Sequence, residues 1–466
     1  MSDIVEALQE ILDAGGVLTG DDVSSRAGGW WDDSPTEALA IVRPRNTEQV
    51  AAILKLCHER KQSVVTHGGK TGLVQGCLSS AKDIALSTER MTQIEEIDSI
   101  NGTMTVQAGV PLQVVQESAR TKGLDYPMDL GARGSATIGG TISTNAGGNR
   151  VIRHGMTRAL VLGLEAVLAD GTIVSSMNKM IKNNAGYDLK QLFIGSEGTL
   201  GIVTRAVLKL SPAMRSQQTS LVALETFEDV TAFLQLCHRG LGGELCAFEV
   251  MWNNFFKLVT DPGPHQKKSP MGNASPFYVL LESMGTNPEK STQTFEDVLS
   301  GALESELISD AVIAKSESER DSLWQIRDNI EALNLMSPYY AFDISLPLNL
   351  MPEYLSLIEE KLIARWPVLR HVVFGHLGDG NLHLVVSVGS ESEAERFAVE
   401  QVIYSTLETF SGSISAEHGI GLEKREFLHH SRNEQEISLM GLLKTSLDPK
   451  NILNPGKVID ATKTRR

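Results

Sequence analysis

Apolar and polar positions alternate in several rhythms along this chain. Ile4 to Leu12 has an apolar stripe at helical spacing, and so do Val50, Ile53, Leu54 and Cys57. Asn46 and Gln49 stand before the second stripe as a capping box would. Ser63–Thr66 reads as a strand running straight into glycine-rich HGGKTGLVQG, and Thr103–Val110 alternates as a strand does. Val161–Leu168 and Thr172–Val174 flank Asp170-Gly171, a turn signal between two strands. Short strands, scattered helices and glycine turns make residues 1–213 an α+β zone. From 214 to 410 the pattern predicts helices over Phe227–Leu236 and Pro288–Leu299, and strands over Phe277–Glu282 and Val372–Phe374. That alternation suggests an α/β sandwich, with Asp261–Ser275 as a mobile polar loop. Residues 411–466 form a closing segment with a helix near Glu434–Thr445.

Length and composition narrow the classes. A chain of 466 residues exceeds one ordinary core, so two or three domains are expected. A formal net charge of −16 disfavours nucleic acid and anionic membrane as partners. The four cysteines fit no zinc or CxxC spacing and are expected to be reduced thiols. The acidic amphipathic start is unlike a signal peptide, and no apolar run approaches a membrane span. A cytoplasmic, soluble protein is expected, at most peripheral to a membrane through its redox partner.

The 41 glycines cluster. Gly68-Gly69-Lys70-Thr71-Gly72, with Gly76 behind it, follows a strand and presents successive backbone N–H groups that can cradle phosphate; a plain turn is the competing reading. It lacks the GxxxxGK[ST] order of a Walker loop. The stretch Gly131–Arg150, GARGSATIGGTISTNAGGNR, places hydroxyls and an amide among close-approach glycines and points to a phosphate-bearing ligand. Gly195–Ile202 can close over a cofactor ring. The absence of GxGxxG argues against a nicotinamide site.

Of the eleven histidines, His376 and His383 stand out in GHLGDGNLH, with Glu417 and His418 following in SAEHG. A strand, a tight turn and a second strand can bring the two imidazoles together. With a carboxylate they suit a divalent ion of the Zn or Mn type, while the spacing also fits a pair of core or turn histidines.

Read in order, GGKTGLVQG, PMDLGARGSATIGGTISTNAGGNRVIRHG and DLKQLFIGSEGTLGIVT resemble the FAD-binding type-4 oxidases and dehydrogenases of the vanillyl-alcohol-oxidase-like fold, near the D-2-hydroxyglutarate and D-lactate dehydrogenases. The resemblance implies an FAD-binding domain of two α+β subdomains (1–213), an α/β cap domain for substrate (214–410) and a C-terminal helical segment (411–466) that closes on the flavin. It implies non-covalent FAD held by Gly68, Gly69, Lys70, Thr71, Gly72 and Gly76 at the pyrophosphate. Pro127, Asp129, Ser135, Gly139, Gly140, Thr144, Asn145, Gly148, Gly155, Glu197, Gly198, Ile202 and Asn454 would line the rest. His67 stands where the family pattern leads one to expect another residue. It further implies that His376, His383 and Glu417 bind the metal, that His418 is the base, and that Arg327 pairs with the substrate C1 carboxylate.

The implied reaction is oxidation of a D-2-hydroxy acid to the 2-oxo acid. Electrons would pass to an electron-transfer flavoprotein or quinone, and a homodimer is the family expectation. Two positions depart from the hydroxyglutarate pattern: Ala341 replaces a lysine and Val385 an asparagine that help bind the distal carboxylate. A shorter or apolar acid such as D-lactate or D-2-hydroxybutyrate becomes plausible. A peroxide-producing glycolate-type oxidase is the alternative, and a metal-dependent hydrolase a more remote one.

Overall fold

The computed structural model describes residues 3–29, 32–263 and 266–460. The chain divides into two compact units: Met1–Gly148, Gly155–Ala213 and Glu417–Arg466 in one, Asn149–His154 and Met214–Ala416 in the other.

The first unit contains two main sheets. Its smaller sheet orders the strands Val17–Leu18, Ala40–Val42, Ile84–Ser87 and Val64–His67, the last three parallel. Parallel strands need covering on their faces. Helices Asp3–Ile11 and Thr47–Arg60 supply the cover, packing Leu8, Val50, Ile53, Leu54 and Cys57 with Val42, Val64 and Leu86. Asn46 caps the second helix by accepting from Gln49 N at 2.9 Å. The Gln49 amide oxygen accepts instead from Arg45 N at 2.7 Å, so the cap closes one residue earlier than a capping box would. The larger sheet is antiparallel, in the order Ile94–Asp98, Thr103–Gln107, Ile202–Lys209, Val161–Val167 and Ile173–Ser176. The strand expected to reach Val110 stops at Gln107, where the chain turns: a Cβ at Gly109 would collide with the carbonyl of Thr88. The Asp170-Gly171 turn forms as read, with Asp170 Oδ1 accepting from Thr172 N at 2.9 Å and Gly171 at φ 89°.

The second unit is built on one seven-stranded sheet ordered Asp310–Ile313, Ser216–Leu224, Phe277–Gly285, Leu245–Trp252, Arg370–His376, Asn381–Ser387, Tyr340–Ser345. Helices alternate with strands as the sequence pattern suggests, yet every neighbouring pair is antiparallel. The reason is topological. Ser216–Leu224 crosses through helix Phe227–Gly240 to Leu245–Trp252, and Phe277–Gly285 inserts between those two strands. Tyr340–Ser345 crosses through helix Met351–Arg365 to Arg370–His376, and Asn381–Ser387 inserts in the same way. Each half is therefore a split βαβ arrangement, a structural repeat without visible sequence repetition. The halves join where Leu245–Trp252 pairs with Arg370–His376. Helix Glu317–Arg327 packs Leu323 and Ile326 on one sheet face with Phe255, Phe256, Leu280, Tyr278 and Phe374. Phe255 stacks on Phe374 at 4.0 Å and Phe256 on Tyr278 at 3.6 Å between ring centroids. Asp261–Ser275 is loop over its described part; Pro264 and His265 lie outside the described residues.

All four cysteines are free, and Cys57, Cys237 and Cys246 are buried. Among the described residues no helix is long and apolar enough to cross a membrane.

Candidate active site

His376 ends the strand Arg370–His376, and His383 is the third residue of Asn381–Ser387. A short 3-10 turn, Leu377–Asp379, joins them, and Gly380 at φ 83° reverses the chain in a conformation that favours glycine. Phe374 lies opposite His383 in the register. Side chains two apart on a strand share a face, so His376 and His383 point the same way. Their ring centroids are 5.3 Å apart and nearly perpendicular, at 82°.

The same face carries a row of polar groups. Glu249 is the cross-strand partner of His376, and Asp343 that of His383. The Glu249 carboxylate is 2.8 Å from His376 Nδ1. Its Oε2 also accepts from Arg327 Nε at 2.9 Å and pairs with Nη2 at 2.8 Å. An acidic acceptor at Nδ1 places the proton there and leaves Nε2 with a lone pair. Arg327 closes the last turn of helix Glu317–Arg327, with its guanidinium 5.0 Å from the centre of the Phe374 ring. Glu249 is 1% exposed and Arg327 4%. Burial pushes the Glu249 carboxyl up, but the adjoining His376 and Arg327 outweigh it and hold the group below its ordinary value. The sequence reading has Arg327 meet a substrate carboxylate; Glu249 takes its Nε and Nη2 edge, and Nη1 lies 3.8 Å from Asp328 Oδ1, a looser ion pair.

Glu249 escaped the sequence reading. The available signal was a single carboxylate inside the apolar run Leu245-Cys246-Ala247-Phe248-Glu249-Val250-Met251-Trp252. A charge is expensive in a buried strand unless paired.

Glu417 and His418 open the last segment of the first unit, and Glu417 is peptide-bonded to Ala416. Asp343 Oδ2 accepts from Ala416 N at 3.1 Å and from Ser415 Oγ at 3.4 Å. On the other flank, Glu197 accepts from Ile420 N at 2.7 Å and Gly421 N at 2.8 Å. Buried carboxylates thus fix the backbone on both sides of the Glu417-His418 dipeptide. Burial raises the Glu197 carboxyl above its ordinary value, against the pull of those two N–H donors.

The glycine clusters of the first unit come together. A Cβ on Gly69 would collide with the carbonyl oxygen of Ser135, one on Gly68 would stand 2.7 Å from Thr137 Oγ1, and one on Gly139 2.7 Å from the Ala108 methyl. Thr137 caps the helix Ile138–Thr144 by accepting from Gly140 N at 3.3 Å. Around Gly68, Gly69, Ser135, Gly139 and Gly140, backbone packs on backbone, while Gly72 and Gly131 border open space. The Lys70 ammonium turns back to the Ala27 carbonyl and the Thr36 hydroxyl. Gly148 packs on the carbonyl of Asp129. A second group forms around Glu197, where Asn454 accepts from Thr66 N at 2.9 Å and donates to Glu197 O at 2.6 Å. Gly198 at φ 70° packs against the Asn454 amide, and Gly76 faces Glu197 Oε2. Thr144 Oγ donates to Gly140 O, and Asn145 Oδ1 accepts from Arg158 N, so both side chains already have partners within the unit. Gly155 takes φ 72°, Pro127 is buried, and Ile202 is a core residue. The Thr71 side chain is half-buried. His67 is buried, with Nε2 at 2.9 Å from the Cys77 carbonyl.

Residues 38–176 match a family described as FAD binding domain, and residues 213–458 match FAD linked oxidases, C-terminal domain. The chain belongs to the FAD-linked oxidases. The solved structure of p-cresol methylhydroxylase with substrate bound superposes with a TM-score of 0.74 at 15% identity, over 98% of this chain and 97% of that one. The fold is thus the α+β architecture of the vanillyl-alcohol-oxidase and p-cresol-methylhydroxylase type. The mitochondrial D-2-hydroxyglutarate dehydrogenase of Bos taurus is 40% identical over 421 residues, 90% of this chain and 76% of the bovine protein. The D-2-hydroxyglutarate dehydrogenase of Xanthomonas citri pv. viticola is 38% identical over 436 residues, 92% of this chain and 90% of its own length.

The cofactor of the family fits the first unit. Gly72 and Gly131 have open space where a side chain would stand, and a main chain without side chains at such points suits close approach to a pyrophosphate.

Proposed function

We propose that this chain is an FAD-dependent, metal-assisted dehydrogenase that oxidises a D-2-hydroxy acid to the 2-oxo acid. The observation that carries the reading is the His376–Glu249–Arg327 arrangement, in a chain similar to D-2-hydroxyglutarate dehydrogenases over most of its length. Residues 1–213 would bind FAD, 214–410 the substrate, and 411–466 would contribute Glu417 and His418.

His376, His383 and Glu417 would hold a zinc or manganese ion, which supplies charge that lowers the pKa of a substrate hydroxyl. Two imidazoles from adjoining strands, one with its Nδ1 engaged, suit that donor set. The Nη1 side of Arg327, held only loosely by Asp328 at 3.8 Å, would hold the C1 carboxylate, since guanidinium and carboxylate match in charge and plane. His418 would take the hydroxyl proton, while the hydride leaves Cα and the hydroxyl carbon becomes a carbonyl. FAD, when bound, supplies the acceptor for that hydride. Electrons would leave to an electron-transfer flavoprotein or quinone, with the enzyme as a homodimer.

The structure adds a reason to favour a short or apolar acid. Ala341 and Val385 are cross-strand partners on the face that bears Asp343 and His383. Neither position offers a cation or an amide, and Val385 is itself buried in the apolar core. A second carboxylate there would lose water without gaining a partner.

Dye-coupled assays of the purified flavoprotein with D- and L-lactate, D-2-hydroxybutyrate and D-2-hydroxyglutarate test the reading. A D acid oxidised only when zinc or manganese is present, with dye rather than oxygen as acceptor, supports it. Peroxide production equal to turnover would favour the oxidase alternative, and no oxidation of any 2-hydroxy acid would sink the substrate class.

A further inference from the structure

We infer that Glu249 is a positioning residue that holds a metal-binding imidazole and the substrate-binding guanidinium from one buried carboxylate. The inference rests on the metal and substrate reading above and goes beyond it by naming a residue that touches neither substrate nor ion. Glu249 lies at the seam between the two halves of the seven-stranded sheet, where its strand pairs with the strand that ends in His376. Both carboxylate oxygens lie 2.8 Å from His376 Nδ1. One of them, Oε2, also takes Arg327 Nε at 2.9 Å and Nη2 at 2.8 Å.

Each contact has a chemical consequence. The bond at Nδ1 fixes the tautomer and the ring plane, so Nε2 is the nitrogen presented to a ligand, and acidic partners of this kind also raise ligand basicity. The two bonds to Arg327 fix the rotation of the guanidinium plane and neutralise a cation that is otherwise buried against Phe374. A neutral residue at 249 would release both at once. The imidazole could turn over, and the arginine would keep only the long 3.8 Å ion pair to the half-exposed Asp328.

The test is metal affinity, read by titrating zinc or manganese into the chelator-stripped flavoprotein and competing with a chelator of known strength. Glu249→Gln keeps the shape and removes the charge. It is expected to weaken metal binding about 10- to 100-fold and to raise KM for the D-2-hydroxy acid, while the flavin spectrum stays that of the parent. Glu249→Asp keeps the charge and withdraws it by one methylene. It is expected to weaken binding less, in the same direction, and it serves as the reading if the glutamine variant does not fold. Metal affinity within about twofold of the parent in a folded variant, even with a lower melting temperature, would show a merely structural residue and overturn the inference. A parent protein that binds neither ion overturns the metal reading itself, which separates that failure from a failure of Glu249 alone.

Discussion

Burial decides how His67 behaves in acid. It is 3% exposed, and burial, then the charges of Lys70 and Lys457, push its pKa from 6.5 down to about 3. Between those values the unfolded chain binds a proton that the folded chain refuses, so stability is full above pH 6.5 and falls as pH drops toward 3. Each pH unit in that window costs up to about 1.4 kcal/mol. Melting temperature should therefore fall more steeply from pH 6.5 to pH 4 in the parent than in His67→Gln, and equal slopes would contradict the assignment. Substrate choice also belongs to this scale. The double change Ala341→Lys with Val385→Asn should raise kcat/KM for D-2-hydroxyglutarate relative to D-lactate by about tenfold or more, the worth of about 1.4 kcal/mol. An unchanged ratio of the two would show that the distal group is read elsewhere. The sequence made His376, His383, Glu417, His418 and Arg327 conspicuous because motifs carry them. It hid Glu249 and Asp343 because their meaning lies in cross-strand register, with Glu249 set by His376 and Asp343 by His383.

At the scale of elements, the glycine loops are the most exacting parts. Gly69→Ala would drive a methyl into the carbonyl of Ser135, backbone that cannot swing aside. Strain of about 1–3 kcal/mol is expected, and flavin retained per chain after gel filtration should drop roughly tenfold. Gly301→Ala is the contrasting change. It lies within helix Pro288–Glu304 with nothing near its Cβ position, so it should leave flavin content alone and add about 1 kcal/mol of helix stability. Equal flavin loss in both would show that the loop packing is not what matters. Strong periodicity makes the helices at 47–60 and 227–240 and the hairpin at 161–176 legible in the sequence. Their ends were less so, because tertiary contacts set them. Local alternation also could not reveal that strands inserted between crossover pairs make the cap sheet antiparallel throughout.

For the whole molecule, acidity and glycine content excluded classes without naming a reaction. The net charge of −16 says little about the surroundings of one buried arginine. Family membership settles the flavin and the fold, and the chemistry proposed here depends on residues scattered from Glu249 to His418. Their joint claim is tested most directly by the visible spectrum of the purified protein under anaerobic conditions, as D-lactate, D-2-hydroxyglutarate and their L forms are added with and without a chelator. Bleaching of the flavin band by a D acid, with no response to its L form and strong suppression by chelator, is the predicted result. A flavin band that no 2-hydroxy acid bleaches, or that bleaches equally after the metal is stripped, would contradict the account.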